Sequence, residues 1–234
     1  MPIVHKPLRH AHGGDIFEAY ASWDDTMPEP RPMVLIAGTF KGRSSFEEGK
    51  ARSLAELGYV AVAIDLYGVD NWPTSDDEAR SQMSALNADR TELRTRLLAA
   101  LDTALASGLP VDPSRVAAIG FCFGGKCVLD LARSGAEIAG VVSFHGLYDP
   151  PPFDSADIKA KILVLHGWED PLAPPDMVLA LTKELTEAGA DWQVHAYGHT
   201  VHAFTNPARE GMYSPAFDAR SWQSMRNFLD EAFI

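Results

Sequence analysis

The stretch "AAIGFCFGGKCVL" (Ala117–Leu129) decides the fold of this chain. It begins as an apolar run, passes through a glycine-rich turn and continues with the composition of a helix. This order predicts a strand over Arg115–Gly120 and a helix over residues 124–134. Cys122 lies at the turn between two phenylalanines, so the sequence must show whether this thiol packs or reacts.

A strand, a Gly-x-nucleophile-x-Gly turn and a helix together form the nucleophile elbow, which in α/β-hydrolases usually carries serine. Here the turn is Gly120-Phe121-Cys122-Phe123-Gly124. Glycines are expected because strand and helix pack closely at a sharp turn. The N-terminus of the following helix favours a thiolate, and the Phe123 N–H can bind an oxyanion. We therefore interpret Cys122 as a nucleophile, whereas Cys127 has no such turn and is predicted to pack.

Short apolar runs alternate with amphipathic segments along the rest of the chain. Strands are predicted over Pro32–Gly38, Val60–Gly68, Ile138–Gly146, 160–167 and 191–197, and helices over Phe46–Tyr59, Arg90–Ala106, 174–190 and 217–233, with one more helix before Asn87–Asp89. This pattern predicts a mostly parallel central sheet with helices on both faces. The alternating run Ile16–Trp23 and the extended run before it predict an antiparallel N-terminal edge hairpin. Because no linker is visible, we predict a single α/β domain over residues 1–234.

Composition excludes several classes of protein. The 234 residues carry a net charge of −12, which argues against nucleic-acid binding. No apolar run approaches the roughly 18–20 residues that span a bilayer, so we expect no membrane contact and a soluble cytoplasmic protein. Two cysteines five positions apart exclude a disulfide scaffold and a CxxC site. The choice between monomer and homodimer stays open.

The elbow fold supplies the other catalytic groups in the chain order nucleophile, acid, histidine. Asp170 follows the strand "KILVLHG", in a loop that Pro171 and Pro174 stiffen. It is the favoured acid, and its neighbour Glu169 remains an alternative. Such an acid would orient the base that activates the thiol.

Three histidines near the end of the chain are candidates for the base. His195 lies inside a predicted strand and is expected to pack, whereas His199 and His202 lie in the loop after it. His202, which precedes an apolar pair, is favoured and His199 stays open. The remaining histidines are interpreted as structural at two strand ends or as solvent-facing near the N-terminus: His145 and His166, and His5, His10 and His12.

A second oxyanion donor is expected from the loop after the strand Pro32–Gly38. By position it is Phe40, with Thr39 just before it, so the Phe40 and Phe123 N–H groups would hold the developing charge. Residues 71–101 are expected to cover the substrate pocket, with Trp72, Arg80 and Met83 as candidate lining.

With elbow, acid and histidine placed, the chain resembles the dienelactone hydrolase family of α/β-hydrolases over nearly its whole length. The matching segments are "LAELGYVAVAIDLYG", "GFCFGGKCVLDLA", "GVVSFHG", "KILVLHGWEDPLAPP" and "HAFTNP". The resemblance implies an α/β-hydrolase fold and a Cys122–His202–Asp170 triad. It also implies hydrolysis of a small-molecule ester or lactone through a thioester acyl-enzyme, with no metal or cofactor.

Two positions depart from the family's best-known enzymes. Their glutamate near the resting thiol corresponds here to Thr39, and their substrate-binding arginine corresponds to Asn206, with Arg209 three residues further on. We therefore expect Thr39 and Asn206 to contact a substrate other than dienelactone. The alternatives are a promiscuous carboxylesterase or thioesterase without dienelactone preference, and a non-catalytic or redox-sensing binding protein.

Overall fold

The computed structural model describes residues 2–153 and 157–234. These residues form eight β-strands and six α-helices, in the order β1 (Ile3–His12), β2 (Asp15–Asp24), β3 (Arg31–Ala37), α1 (Ser45–Glu56), β4 (Val60–Ala63), α2 (Asp76–Ala88), α3 (Arg90–Leu105), β5 (Val111–Phe121), α4 (Phe123–Arg133), β6 (Gly140–Phe144), β7 (Lys161–Gly167), α5 (Pro175–Glu187), β8 (Trp192–Tyr197) and α6 (Pro215–Ala232). The chain divides into two compact units, residues 1–118 and 119–234. The prediction of a single domain stays a prediction.

The first unit contains the antiparallel edge of the sheet. Its strand order is β1-β2-β4-β3, followed by β5, which begins in this unit. β1 and β2 form an antiparallel hairpin that closes with His12 opposite Asp15. The turn between them holds Gly13 and Gly14 at φ values of 60° and 94°, which suits the mirror-image turns preferred in tight hairpins. The predicted edge hairpin is therefore confirmed.

Two predictions for the first unit are wrong. The strand expected over Val60–Gly68 ends at Ala63, because the Asp65 carboxylate accepts the N–H groups of Tyr67 and Gly68 at 2.9 and 3.0 Å and turns the chain.

The N-terminal histidines also differ from expectation, since only His5 is exposed. His10 stacks on Phe17 at 5.2 Å between ring centroids, and His12 lies 3.2 Å from a Glu92 oxygen. Both rings are half-buried because β1 lies against side chains of β2 and α3.

The second unit adds further continuous apolar strands to β3 and β4 of the first. β5 ends here, and the order runs β5-β6-β7-β8. β6, β7 and β8 are parallel, with Phe144 opposite Leu165. The central residues of β6 and β7 are fully buried, which explains why these strands lack polar alternation. The predicted α/β fold with a mostly parallel sheet and an antiparallel edge is confirmed.

No helix in residues 2–153 and 157–234 has both the length and the apolar composition required to cross a bilayer.

A buried ion-pair network anchors α4, the helix that begins directly after Cys122. The Arg133 side chain is 1% exposed, and its guanidinium donates to both Glu184 oxygens at 2.7 and 2.8 Å. It also donates to Asp130, one turn earlier, at 3.1 Å. Because Glu184 belongs to α5, the network ties the two helices together.

We expect Arg133→Leu to lower the free energy of unfolding by about 3–5 kcal/mol, because Asp130 keeps its buried charge and loses the guanidinium. The matched control is Lys183→Ala, which removes an exposed partner of Glu187 on α5. This control should change the unfolding free energy by less than about 1 kcal/mol. Urea denaturation measures both, and equal effects would show that the network contributes no more than a surface pair.

Candidate active site

Cys122 occupies a strained turn between β5 and α4. Its backbone has φ 59° and ψ −115°, a conformation that residues with a side chain rarely adopt. Its N–H donates to the Phe144 carbonyl at 3.0 Å, at the end of β6. The side chain is partly exposed, whereas Cys127 is buried inside α4. The turn therefore lifts one thiol out of the core and leaves the other packed.

The glycines around Cys122 have steric causes. A Cβ on Gly120 would collide with the carbonyl oxygen of Gly124, so strand and helix could not approach as they do. A Cβ on Gly125 would lie 2.7 Å from the Gly146 Cα and from the Ser143 Oγ. Both glycines are thus required by close backbone approach, as the motif predicts for Gly120.

Asp170 and His202 form the central hydrogen bond of the site. Asp170 Oδ2 lies 2.7 Å from His202 Nδ1, and the two residues are only 2% and 7% exposed. The other carboxylate oxygen of Asp170 accepts the Leu172 N–H at 2.8 Å. The carboxylate is therefore held at both oxygens, and it fixes the imidazole orientation.

The environment of His202 favours its charged form. Burial alone would lower the pKa of this imidazole, but hydrogen bonding to Asp170 and the proximity of Cys122 outweigh it and raise the pKa to about 9. Nε2 makes no hydrogen bond of standard geometry among the described residues. Cys122 is, with Asp170, one of the two residues that raise the pKa of this imidazole, so the thiol lies within its electrostatic reach.

The competing acid and base pair with each other at the surface. His199 Nδ1 lies 3.0 Å from Glu169, and their side chains are 97% and 52% exposed. His195 lies half-buried in β8. Of the acids and histidines that the sequence left open, Asp170 and His202 are the buried, hydrogen-bonded pair next to Cys122.

A buried polar layer borders Asp170. The Tyr148 hydroxyl lies 3.3 Å from His166 Nδ1. Burial lowers the pKa of His166. The Asp170 carboxylate opposes this shift, and His202 adds to it. Burial, and then the Asp170 charge, raises the pKa of Tyr148. His166 and Tyr148 therefore stay neutral, and the negative charge of Asp170 acts on the His202 imidazole.

The loop that is predicted to carry the second oxyanion donor belongs to the first unit. Glu47 is fully buried and accepts the Thr39 N–H at 3.0 Å. It also accepts the Ser44 N–H and hydroxyl at 2.9 and 2.6 Å, which makes a capping box at the start of α1. Burial raises the pKa of Glu47, although these hydrogen bonds oppose the shift.

The Phe40 carbonyl accepts the Tyr67 hydroxyl at 2.8 Å, which gives the loop a second anchor. Because Phe123 lies in the second unit, the joint oxyanion role of Phe40 and Phe123 stays a prediction. Glu47 was not predicted from the sequence, although the Ser44-x-x-Glu47 pattern is a visible capping-box signal.

The candidate substrate residues have defined contacts of their own. Trp72 donates from Nε1 to Asp65 at 2.9 Å, and the Arg80 guanidinium lies 5.2 Å from the Phe40 ring centre. Met83 is half-buried on α2. Asn206 Oδ1 accepts the Ala208 N–H at 3.0 Å, so this oxygen stabilises the turn that contains Asn206. Their roles toward a substrate stay predictions.

No cluster of three or more His, Cys, Asp or Glu side chains within residues 2–153 and 157–234 is arranged to hold a metal ion.

Comparisons with known proteins identify the family of the chain. The family model for dienelactone hydrolases matches residues 17–233. The chain belongs to the dienelactone hydrolase family. It is therefore a hydrolase of the dienelactone hydrolase type with an α/β-hydrolase fold, and the resemblance seen in the sequence is confirmed.

Two solved structures are similar over 99% of both chains. The structure named m3DLH is 39% identical, with a TM-score of 0.92. A dienelactone hydrolase-like promiscuous phosphotriesterase from metagenomic libraries is 34% identical, also with a TM-score of 0.92. An uncharacterized protein from Caenorhabditis elegans is 36% identical over 159 residues, which cover 63% of this chain and 99% of the relative.

Gly120→Ala should lower the free energy of unfolding by about 2–3 kcal/mol or more, because the added methyl group meets the Gly124 carbonyl. The control is Gly49→Ala on α1, where the Cβ meets nothing closer than an Arg52 nitrogen at 4.0 Å. That change should stabilise the protein by up to about 1 kcal/mol. Urea unfolding of the two variants tests the contrast, and a harmless Gly120→Ala would contradict the close approach.

The charged form of His202 should stabilise the folded state in a defined pH range. Its pKa rises from an ordinary 6.5 to about 9 on folding, so the contribution is complete below pH 6.5 and disappears as pH rises through 9. We expect the difference in unfolding free energy between wild type and His202→Gln to shrink over that range.

Denaturation from pH 5.5 to 9.5 measures this difference. His199→Gln is the control, because that side chain is almost fully exposed and its loss should give a difference that is small at every pH. A constant difference for His202→Gln would show that the His202 charge does not contribute to stability.

Proposed function

We propose that this protein hydrolyses a carboxylic ester or lactone through an acyl-enzyme on Cys122. The observation that carries the proposal is the 2.7 Å bond between Asp170 and His202, beside a cysteine on a strained turn at the start of a helix. A nucleophile, a base and an orienting acceptor in this arrangement are the parts that acyl transfer requires.

In this mechanism His202 holds the Cys122 proton or removes it as the substrate binds. The thiolate forms a C–S bond with the carbonyl carbon, and the carbonyl electron pair moves to oxygen. The Phe123 N–H, at the first residue of α4, is among the donors that a helix cannot satisfy internally, so it is suited to bind this oxyanion. Phe40 would supply the second donor.

The intermediate then collapses with cleavage of the C–O bond. The leaving alkoxide or enolate takes a proton from His202, and a thioester remains on Cys122. In the second half-reaction His202 accepts a proton from water as the water oxygen attacks the thioester carbonyl. Release of the carboxylic acid restores the thiolate beside protonated His202, which matches the raised pKa of His202 in the resting site.

The substrate acyl group is proposed to be neutral rather than anionic. Asn206 carries no positive charge, and its Oδ1 is engaged by the Ala208 N–H. A neutral acyl group favours a carboxylesterase or thioesterase with broad acceptance over an enzyme specific for dienelactone. Rates on p-nitrophenyl acetate, a neutral lactone, a thioester and a dienelactone would separate these candidates.

Phosphotriester hydrolysis is a second candidate function. It is supported by the similarity, over 99% of both chains, to the relative described as a promiscuous phosphotriesterase. A thiolate could attack phosphorus and displace an aryloxide, with water then cleaving the S–P bond. Turnover of a p-nitrophenyl dialkyl phosphate that is lost in Cys122→Ala would support it, and no turnover by wild type would exclude that substrate.

Cys122→Ala should reduce turnover of p-nitrophenyl acetate by about 10³-fold or more, because the acyl-accepting atom is removed. Cys127→Ala is the matched control, since the same change is made inside α4 at a buried thiol outside the turn. It should keep turnover within about threefold.

Intact-protein mass spectrometry after a short pulse of the ester gives an independent measurement. An acyl adduct is expected on wild type and Cys127→Ala and not on Cys122→Ala. Retained turnover in Cys122→Ala would refute the mechanism, and a wild type that neither turns over nor acylates would favour a binding or redox-sensing role.

A further inference from the structure

His145 is a buried histidine that the proposed mechanism does not use. It follows the last residue of β6, is 0% exposed and has a φ of 37°. A residue with a β-carbon is strained at positive φ, and such a conformation persists only where surrounding contacts hold it. Strain of this kind occurs often at functional sites, so the contacts of His145 indicate what it does.

The His145 side chain contacts the segment that carries the base. Its Nε2 lies 2.8 Å from Thr205 Oγ1, and Thr205 is fully buried three residues after His202. The His145 and His202 rings also pack in an edge-to-face arrangement, with centroids 5.2 Å apart at 67°. The Phe204 ring also packs against His145, with centroids 5.3 Å apart at 78°.

The backbone beside His145 contacts the nucleophile turn. The Phe144 carbonyl accepts the Cys122 N–H at 3.0 Å, and the His145 N–H donates to the Leu165 carbonyl at 2.8 Å. The end of β6 is therefore fixed to β7, and the same dipeptide touches both Cys122 and the His202 segment.

We propose that His145 is a positioning residue that holds the His202 imidazole in line with Cys122 through its hydrogen bond to Thr205. This inference rests on the proposed function. The His202 segment needs such an anchor because Ala203 also has a positive φ, of 58°, so the chain there is not held by regular structure. A displacement of about 1 Å in a reacting group can cost about 100-fold in rate.

The primary test compares Thr205→Val with Thr205→Ser. Valine keeps the shape of threonine and loses the hydroxyl, whereas serine keeps the hydroxyl. We expect Thr205→Val to lower kcat on p-nitrophenyl acetate by about 10- to 100-fold with KM within about threefold, and Thr205→Ser to restore most of the rate.

Alkylation of Cys122 by iodoacetamide provides a readout that does not depend on ester hydrolysis. Its rate against pH reports the thiolate that His202 stabilises. In Thr205→Val the pH of half-maximal rate should rise by about one unit, while Thr205→Ser should follow wild type. Loss of a contact that only stabilises the fold would leave the pH dependence of the alkylation rate unchanged.

His145 variants test the other end of the bond. His145→Phe keeps an aromatic ring without the polar atom and should match Thr205→Val, and the double variant should be no worse than either single change. His145→Gln places an amide near the Nε2 position and should retain more activity than His145→Phe. Ser221→Ala, which removes a buried hydroxyl bonded within α6, is the control for loss of a buried hydrogen bond.

Thermal unfolding of each variant establishes that the compared proteins are folded. An unchanged kcat and alkylation profile in folded Thr205→Val overturns the positioning role of His145 and leaves the proposed function standing. Full ester turnover in Cys122→Ala overturns the proposed function and the positioning role with it. The two failures are thus distinguished by different variants.

Discussion

The strained turn at Cys122 is the constraint on which the rest of the site depends. Its backbone lies at φ 59°, where a side chain is unfavourable, so neighbouring structure must hold it. Gly120 allows the helix to approach the strand, the Phe144 carbonyl holds the Cys122 N–H, and Arg133 fixes the far end of α4. The position of the thiol is therefore a property of packing over several elements.

Electrostatics then select the partners of that thiol. Asp170 is fully desolvated, and the neighbouring groups Tyr148 and His166 are kept neutral by burial. The carboxylate charge is directed to His202, whose raised pKa keeps a proton beside Cys122. Glu169 and His199, which precede Asp170 and His202 by one and three residues, carry the same chemical groups. They are exposed to water, so their interaction is weak and screened.

Much of the fold was predictable because the local patterns are strong. Continuous apolar runs identified the parallel strands, and the break at Asp89 separated α2 from α3. Local side-chain contacts set the boundaries that were missed. Asp65 captures two N–H groups and ends β4 early, and a buried Glu47 orders the loop that carries Phe40. Both depend on which donors an acidic side chain meets after folding, although the Ser44–Glu47 capping box was visible in the sequence.

The sequence by itself determined the glycine-rich turn at Cys122, the chain order Cys122, Asp170, His202, and the family, because these depend on residue type and spacing along the chain. Only the tertiary structure decided between Asp170 and Glu169 and between His202 and His199 as the buried pair, because burial and a 2.7 Å contact exist only in the folded chain. The same holds for His145, whose bond to Thr205 spans 60 residues. Spacing in sequence carries no information on such a contact.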